Sequence, residues 1–341
     1  MTRVFGPLAR ALLLVELALA GPASAQEAVA NFYKGRAVTL LIGVNVGASY
    51  DLEGRLIARH LGRFIPGNPT IVPQNMLGGG GIVMANYMQA IAPRDGSYLA
   101  MAPNTLPMAQ AVGLEGVKFE LGAFNWLGSV MPMAHSALIA SSASGVKTFE
   151  ELRKREVTNG ASPKGSFTYT MPALLNDLAG AKLKIVAGYQ GINTIYLALE
   201  RGEVDTVAVT WNDFEKEKAD LIRDGKARAL VQSSPPSPTL PATPVVEDLL
   251  ANAGDKPLVD LLLSGNRIGR PLATSPGAPA PRVAALREAF ESMRRDPVFL
   301  EDARKSGVDV GGITGLDIQR EIAGILAAPP EIAGRARKIL E

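Results

Sequence analysis

The sequence predicts an α/β protein of two lobes, and three observations lead there. Short apolar runs of strand length alternate with segments whose apolar residues recur at spacings of three and four, the signature of parallel or mixed sheets flanked by crossover helices. The alternation stops and resets near residue 131, and a Pro/Ser tract at residues 233–238 closes the second block. A length of 341 residues also suits about two domains of roughly 150 residues each. The reading divides the chain into a leader (1–25), a first part of lobe I (26–130), an inserted lobe II (131–231), and a second part of lobe I with C-terminal helices (232–341).

Arg3 and Arg10 precede an apolar stretch over residues 11–20, and Ala23-Ser24-Ala25 before Gln26 supplies a small-x-small cleavage pattern. This predicts a secretory signal peptide cleaved after Ala25 and a periplasmic mature chain. No later run reaches the roughly 18 apolar residues of a membrane helix. Residues 37–44 (AVTLLIGV) read as a strand, followed by a small-residue loop and a helix with Leu52, Leu56, Ile57, His60 and Leu61 on one face. Residues 70–73 form a second strand, 82–91 a helix with Val83, Tyr87 and Ala90 on one side, and 98–102 a third strand entered through the Arg94-Asp95-Gly96 turn.

In the second block, residues 136–141 are strand-like, and 148–155 form a short helix capped by Thr148 with Glu151 three positions on. Strands at 157–161, 184–187, 204–209 and 227–232 then alternate with helices at 170–178 and 192–201. Residues 261–272 read as a further strand, and 281–294, 297–306 and 316–326 as closing helices.

Composition narrows function. The 35 Lys+Arg and 33 Asp+Glu leave a net charge of +2, too little to build the basic field of a nucleic-acid binder. With no Cys there is no disulfide, thiol nucleophile, thiolate zinc site or iron–sulfur cluster, and imidazole chemistry is confined to His60 and His135. Neither His sits in a recognisable catalytic or metal-ligating motif, so both read as packing or surface residues, and the charged run at 215–218 reads as a solvated helix face. G-x-S-x-G, Walker and H-E-x-x-H motifs are absent, and the glycine run at 78–81 fails G-x-G-x-x-G because Val83 and Met84 stand where the third glycine belongs. No cofactor, metal or catalytic residue is expected, and the chain is read as a monomer.

Three small-residue loops each follow a strand and open a helix. They are Val46-Gly47-Ala48-Ser49-Tyr50-Asp51, Asn75-Met76-Leu77-Gly78-Gly79-Gly80-Gly81 and Ala161-Ser162-Pro163-Lys164-Gly165-Ser166. Helix amino termini offer unpaired N–H groups and the positive end of a dipole, so such loops can hold an anion without a cationic side chain. Two of them fall in lobe I and the third in lobe II, which places a carboxylate-binding cleft between the lobes.

The order of local motifs now carries a resemblance. Tyr33-Lys34-Gly35-Arg36 before the first strand, Gln74-Asn75 before the glycine run and Ala92-Pro93-Arg94-Asp95-Gly96-Ser97-Tyr98 resemble the periplasmic solute-binding receptors of tripartite tricarboxylate transporters, the Bug family. Gly188-Tyr189-Gln190-Gly191, Arg201-Gly202-Glu203-Val204-Asp205 and Arg270-Pro271-Leu272-Ala273 continue it across the mature chain. The resemblance implies a type II Venus-flytrap receptor that closes on a small organic acid and delivers it to membrane permease subunits or a signalling partner.

Carried over by position, it implies ligand contacts at Gly47, Ala48, Ser49, Tyr50 and Asp51, with Asp51 as the helix cap beneath the first loop. It adds Gly79 and Gly80, Asn104 and Thr105, Ser162, Gly165 and Ser166, Tyr189 and Gln190, and Trp211 and Asp213 near the hinge. Where the family has Pro-Gly-Gly, this chain has Val46-Gly47-Ala48. Tyr50 then either lines the cleft, stacking on a ligand with an aromatic or extended body, or packs over the loop; Trp211 is either an aromatic wall or a hinge residue. Two other classes stay open at this point, a secreted enzyme on the same scaffold and a receptor-like interaction module without transport.

Overall fold

The computed structural model describes residues 22–341 apart from Pro132, so nearly all of the expected leader lies outside the described residues. Strands β1 (Ala37–Ile42), β2 (Thr70–Asn75), β3 (Tyr98–Met101) and β4 (Asn125–Ser129) belong to one sheet. A second sheet comprises β5 (Ser136–Ser141), β6 (Val157–Ala161), β7 (Leu183–Ala187), β8 (Thr206–Thr210) and β9 (Ala227–Gln232), in the order β7-β6-β8-β5-β9. The chain then returns, and β10 (Pro271–Thr274) completes the first sheet as β2-β1-β3-β10-β4. β1 pairs in parallel with β2 and β3, whereas β10 runs antiparallel between β3 and β4, with Leu272 opposite Met101. Two mixed sheets in two lobes match the expected fold class.

The first sheet is covered on both sides, which explains why β1 is a continuous apolar run rather than an alternating one. Helices α1 (Pro22–Tyr33) and α2 (Ser49–Leu61) pack on one face; α3 (Ile82–Ala90) and the short α4 (Leu106–Ala111) lie on the other. The second sheet carries α5 (Phe149–Lys154) and α6 (Phe167–Ala179) on one face, with α7 (Ile192–Glu200), α8 (Trp211–Glu217) and α9 (Ala219–Arg223) on the other. The remaining helices are α10 (Lys256–Leu262), α11 (Ala280–Arg295), α12 (Pro297–Lys305), α13 (Gly315–Leu326) and α14 (Pro330–Leu340). Phe290 of α11 and Phe299 of α12 fill the first lobe's core, while Val259 of α10 and Leu340 of α14 join Leu174 and Leu178 of α6 in the second. The segment after β9 therefore serves both sheets.

Several local expectations change. Residues 261–272 are not one strand: α10 runs through Leu262, a 3-10 turn spans Ser264–Ile268, and only Pro271–Thr274 is extended. An apolar run is ambiguous between a strand and a buried helix, and Pro257 in the first turn of α10 is the helical signal that decides it. On α2, Leu52 is 51% exposed and Glu53 is 0% exposed, the reverse of the apolar-face reading. On α3 the buried side carries Met84, Ala85 and Met88, and Val83 faces out. Thr148 makes no capping hydrogen bond; instead Glu151 reaches back to accept from the Lys147 N–H at 3.0 Å. β4 and α14 had no counterpart in the sequence reading.

Candidate ligand-binding site

A cavity of about 410 Å³ lies between the lobes. All three small-residue loops reach it, through Ala48, Ser49 and Tyr50 before α2, Gly78 to Gly80 before α3, and Ser162 and Ser166 before α6. A fourth loop, Tyr189-Gln190-Gly191 before α7, joins them. Four helix amino termini therefore converge on one space. Among the described residues, the first-turn N–H groups of Ser49 and Tyr50, of Phe167 and Thr168, and of Ile192 and Asn193 have no intramolecular acceptor, as expected for the opening turn of a helix. Leu77, Phe167, Ile192 and Tyr196 supply apolar wall between these polar rims.

The lobes touch around the cavity. Asn193 Nδ2 donates to the Gly47 carbonyl at 3.2 Å, and Ser49 Oγ donates to Glu217 at 3.0 Å. A Cβ on Gly80 would stand 3.4 Å from the Gly165 carbonyl oxygen, so the two loops meet in van der Waals contact across the cleft and leave no room there for a larger side chain. Gly80 also adopts φ 63° and ψ 27°, a left-handed conformation that glycine takes without steric penalty.

Asp51 holds the first loop from behind. It is 1% exposed, and its carboxylate accepts from Gly47 N–H at 2.9 Å, Asn75 Nδ2 at 2.8 Å and Arg55 Nε at 3.0 Å. Burial alone would raise this carboxyl, but the bonds from Arg55, Gly47 and Asn75 outweigh it and hold it below the ordinary aspartate value. Ala48 occupies the N-cap position, with no side-chain capping bond, and Asp51 reaches back from the first turn past it to the Gly47 N–H.

Arg270, immediately before β10, brings a cation to the cavity wall, which corrects the expectation that backbone dipoles act there without one. Its Nη1 donates to Glu53 at 3.0 Å, its Nη2 donates to Asp213 on the opposite lobe, and its guanidinium lies 4.9 Å from the Tyr50 ring centroid. Burial alone would lower Arg270, but Asp213 and Glu53 raise it further and keep it charged. Burial pushes Glu53 up to about 7 against the pull of Arg270, and it also raises Glu217, helped by the nearby Asp213.

No protein-family model matches the chain. A Cupriavidus necator protein named UPF0065 protein in gbd 5'region is 28% identical over 243 residues, spanning 67% of this chain and 68% of that protein. Protein BugT of Bordetella pertussis is 26% identical over 250 residues, spanning 70% and 74%. In sequence the chain is similar to BugT, and in fold it is similar to a second Bug protein. The periplasmic binding protein BugD superposes with a TM-score of 0.69 at 20% identity, covering 91% of this chain and 99% of its own. MatC from Rhodopseudomonas palustris, solved with bound malate, gives 0.64 at 22% identity and covers 90% and 99%. An R. palustris protein solved with adipate gives 0.65 at 19% identity and covers 89% and 97%.

Of the positions drawn from the Bug resemblance, the structure places Ala48, Ser49, Tyr50, Gly79, Gly80, Ser162, Ser166, Tyr189, Gln190 and Asp213 on the cavity wall. Gly47, Asp51 and Gly165 lie behind it, supporting the loops. Asn104 is also behind: its N–H donates to the Tyr50 hydroxyl at 3.0 Å and so fixes that ring on the wall. Thr105 precedes α4 away from the lining. Trp211 is buried against Phe214 and donates through Nε1 to Thr239 at 2.8 Å, a packing residue of the second lobe rather than an aromatic wall. Arg270, Asn45, Phe167, Thr168 and Tyr196 line the cavity without having been singled out as contacts. His60, read as a packing residue, is buried with Nε2 2.7 Å from Asp302.

Proposed function

We propose that the chain is a periplasmic receptor that captures a small organic acid between its lobes and delivers it to the permease of a tripartite tricarboxylate-type transporter. The convergence of four helix amino termini, three of them with unpaired first-turn N–H groups, on one cavity carries this reading. A carboxylate taking such N–H groups makes charge-assisted bonds worth about 1.5–3 kcal/mol each, and closing the lobes removes the water that would compete for them. Two relatives in fold were solved with dicarboxylates, malate and adipate, which supports the same ligand class here. In this account Ser49, Ser162, Ser166 and Tyr189 add hydroxyls to the backbone donors, and Tyr50 contributes a wall held in place by Asn104. Binding shifts an open–closed equilibrium that the permease reads.

The test begins with the protein purified from the periplasm of its host. Mass spectrometry of the intact chain checks cleavage after Ala25. Denaturing the protein and analysing the released small molecules identifies a co-purifying ligand. A thermal-shift screen of carboxylates, sugars, amino acids and divalent metals follows, and stabilisation by carboxylates is expected. Stabilisation by a sugar or a metal, with no response to any carboxylate, refutes the reading.

A further inference from the structure

Among the described residues that line the cavity, Arg270 supplies the one cationic side chain. A second carboxylate on a ligand would turn to it first. The guanidinium is already committed: it is 5% exposed, with Glu53 on one terminal nitrogen, Asp213 on the other and the Tyr50 ring against its face. Glu53 is fully buried and its Oε1 has no hydrogen-bond partner, so this pole holds more carboxylate oxygen than donors to satisfy it. With both acids ionised the three groups sum to one negative charge, and with Glu53 protonated they sum to zero. In neither state is the pole positive. A ligand carboxylate could take the guanidinium only by displacing Asp213, leaving that acid unpaired in the cavity wall. The free backbone donors lie at the helix amino termini; Asn45, Thr168, Gln190 and Thr210 add only neutral polar side chains, and Leu77, Phe167, Ile192 and Tyr196 supply the apolar and aromatic wall between them.

We propose that the cavity selects a monocarboxylate with a sizeable apolar body and rejects dicarboxylates, with Arg270, Glu53 and Asp213 as the specificity-determining cluster. The inference rests on the carboxylate-receptor reading above and deepens it. Hexanoate and adipate, which differ only in the second carboxylate, isolate the effect, and 3-phenylpropanoate probes the apolar body. Isothermal titration of the mature protein at neutral pH should show hexanoate and 3-phenylpropanoate binding at least about tenfold more tightly than adipate. In Asp213→Asn the adipate-to-hexanoate affinity ratio should rise by about tenfold or more, because the pole then gains a net positive charge whenever Glu53 is protonated. Asp213→Ser removes the same charge with a smaller side chain and carries the same prediction of a raised ratio, so a folding failure of one variant leaves the other to decide.

Adipate binding as tightly as hexanoate to the unaltered protein, or an unchanged ratio in the folded variants, overturns the selectivity and leaves the receptor reading standing. Failure of all three acids to bind, with a non-acid ligand recovered from the purified protein, overturns both.

Discussion

Replacing Asp51 with Asn should loosen the first cavity loop at a calculable cost. The carboxylate is surrounded by donors only, from Gly47 at 2.9 Å, Asn75 at 2.8 Å and Arg55 at 3.0 Å. An amide in its place keeps one oxygen and turns an NH₂ toward a donor, so whichever way it sits, the bond to Gly47 or to Asn75 is lost. A charge-assisted bond of this kind is worth about 1.5–3 kcal/mol, and the surviving one falls to the roughly 0.5–1.5 kcal/mol of a neutral pair. The Arg55 side chain is 37% exposed, so its share is small. The expected loss is about 2–4 kcal/mol, read as a lower urea midpoint with an unchanged slope. Because the Asp51 carboxyl is held below its ordinary value in the folded chain, its stabilisation is present above the unfolded value and disappears as pH falls through the folded one. The gap between Asp51→Asn and the parent should therefore narrow in acid. Hydrogen exchange at the Gly47 amide supplies a local readout, and the variant should lose protection there. A stability change under about 0.5 kcal/mol with full Gly47 protection would refute the assignment of Asp51 as the support of the loop.

Glu53 gives the opposite pH dependence. With its folded value pushed up to about 7 from 4.5, its contribution is complete below 4.5 and declines as pH rises to about 7. Against Glu53→Gln, the parent should lose up to about 3 kcal/mol across that window, measured by urea unfolding at each pH; parallel profiles of the two proteins would remove Glu53 as the titrating group. Gly80→Val places a branched side chain in a left-handed conformation and against the Gly165 carbonyl. The lobes should then be held apart, with helical and sheet content retained by circular dichroism and the thermal response to carboxylates abolished; undiminished ligand affinity would show that the close approach of these loops is not needed.

How much of this was legible in the sequence depends on how local each signal is. The loops at 46–51, 75–81 and 161–166 could be read because a strand, a small-residue turn and a helix start lie within a dozen residues, and all three do open helices at the cavity. Arg270 could not be read this way. Its partners stand 217 and 57 positions away, and Arg270-Pro271 looks locally like any turn before a strand. The burial of Glu53 was hidden for the same reason: helical periodicity favours Leu52 as the inward residue, and only the arrival of Arg270 just ahead of β10 makes a buried acid tolerable beside it. Trp211 shows the converse error. Its position just after β8 suggested the cleft, but its ring fills the core of its own lobe.

The placement of β10 also bears on the order in which the chain can fold. The strands of the second sheet come from one continuous stretch, Ser136 to Gln232, whereas the first sheet has a strand from beyond that stretch wedged between β3 and β4. Until residues 271–274 arrive, β3 and β4 have no partner between them and present unpaired edges, which are templates for aggregation. Both lobes therefore wait on the segment after β9, the first for β10 and the second for α10 and α14, and closing pairings so distant in sequence is entropically slow. A fragment ending at residue 232 would keep every strand of the second sheet but leave the first sheet open and strip Val259 and Leu340 from the second lobe's core, so neither truncation there nor excision of residues 136–232 should yield an intact lobe.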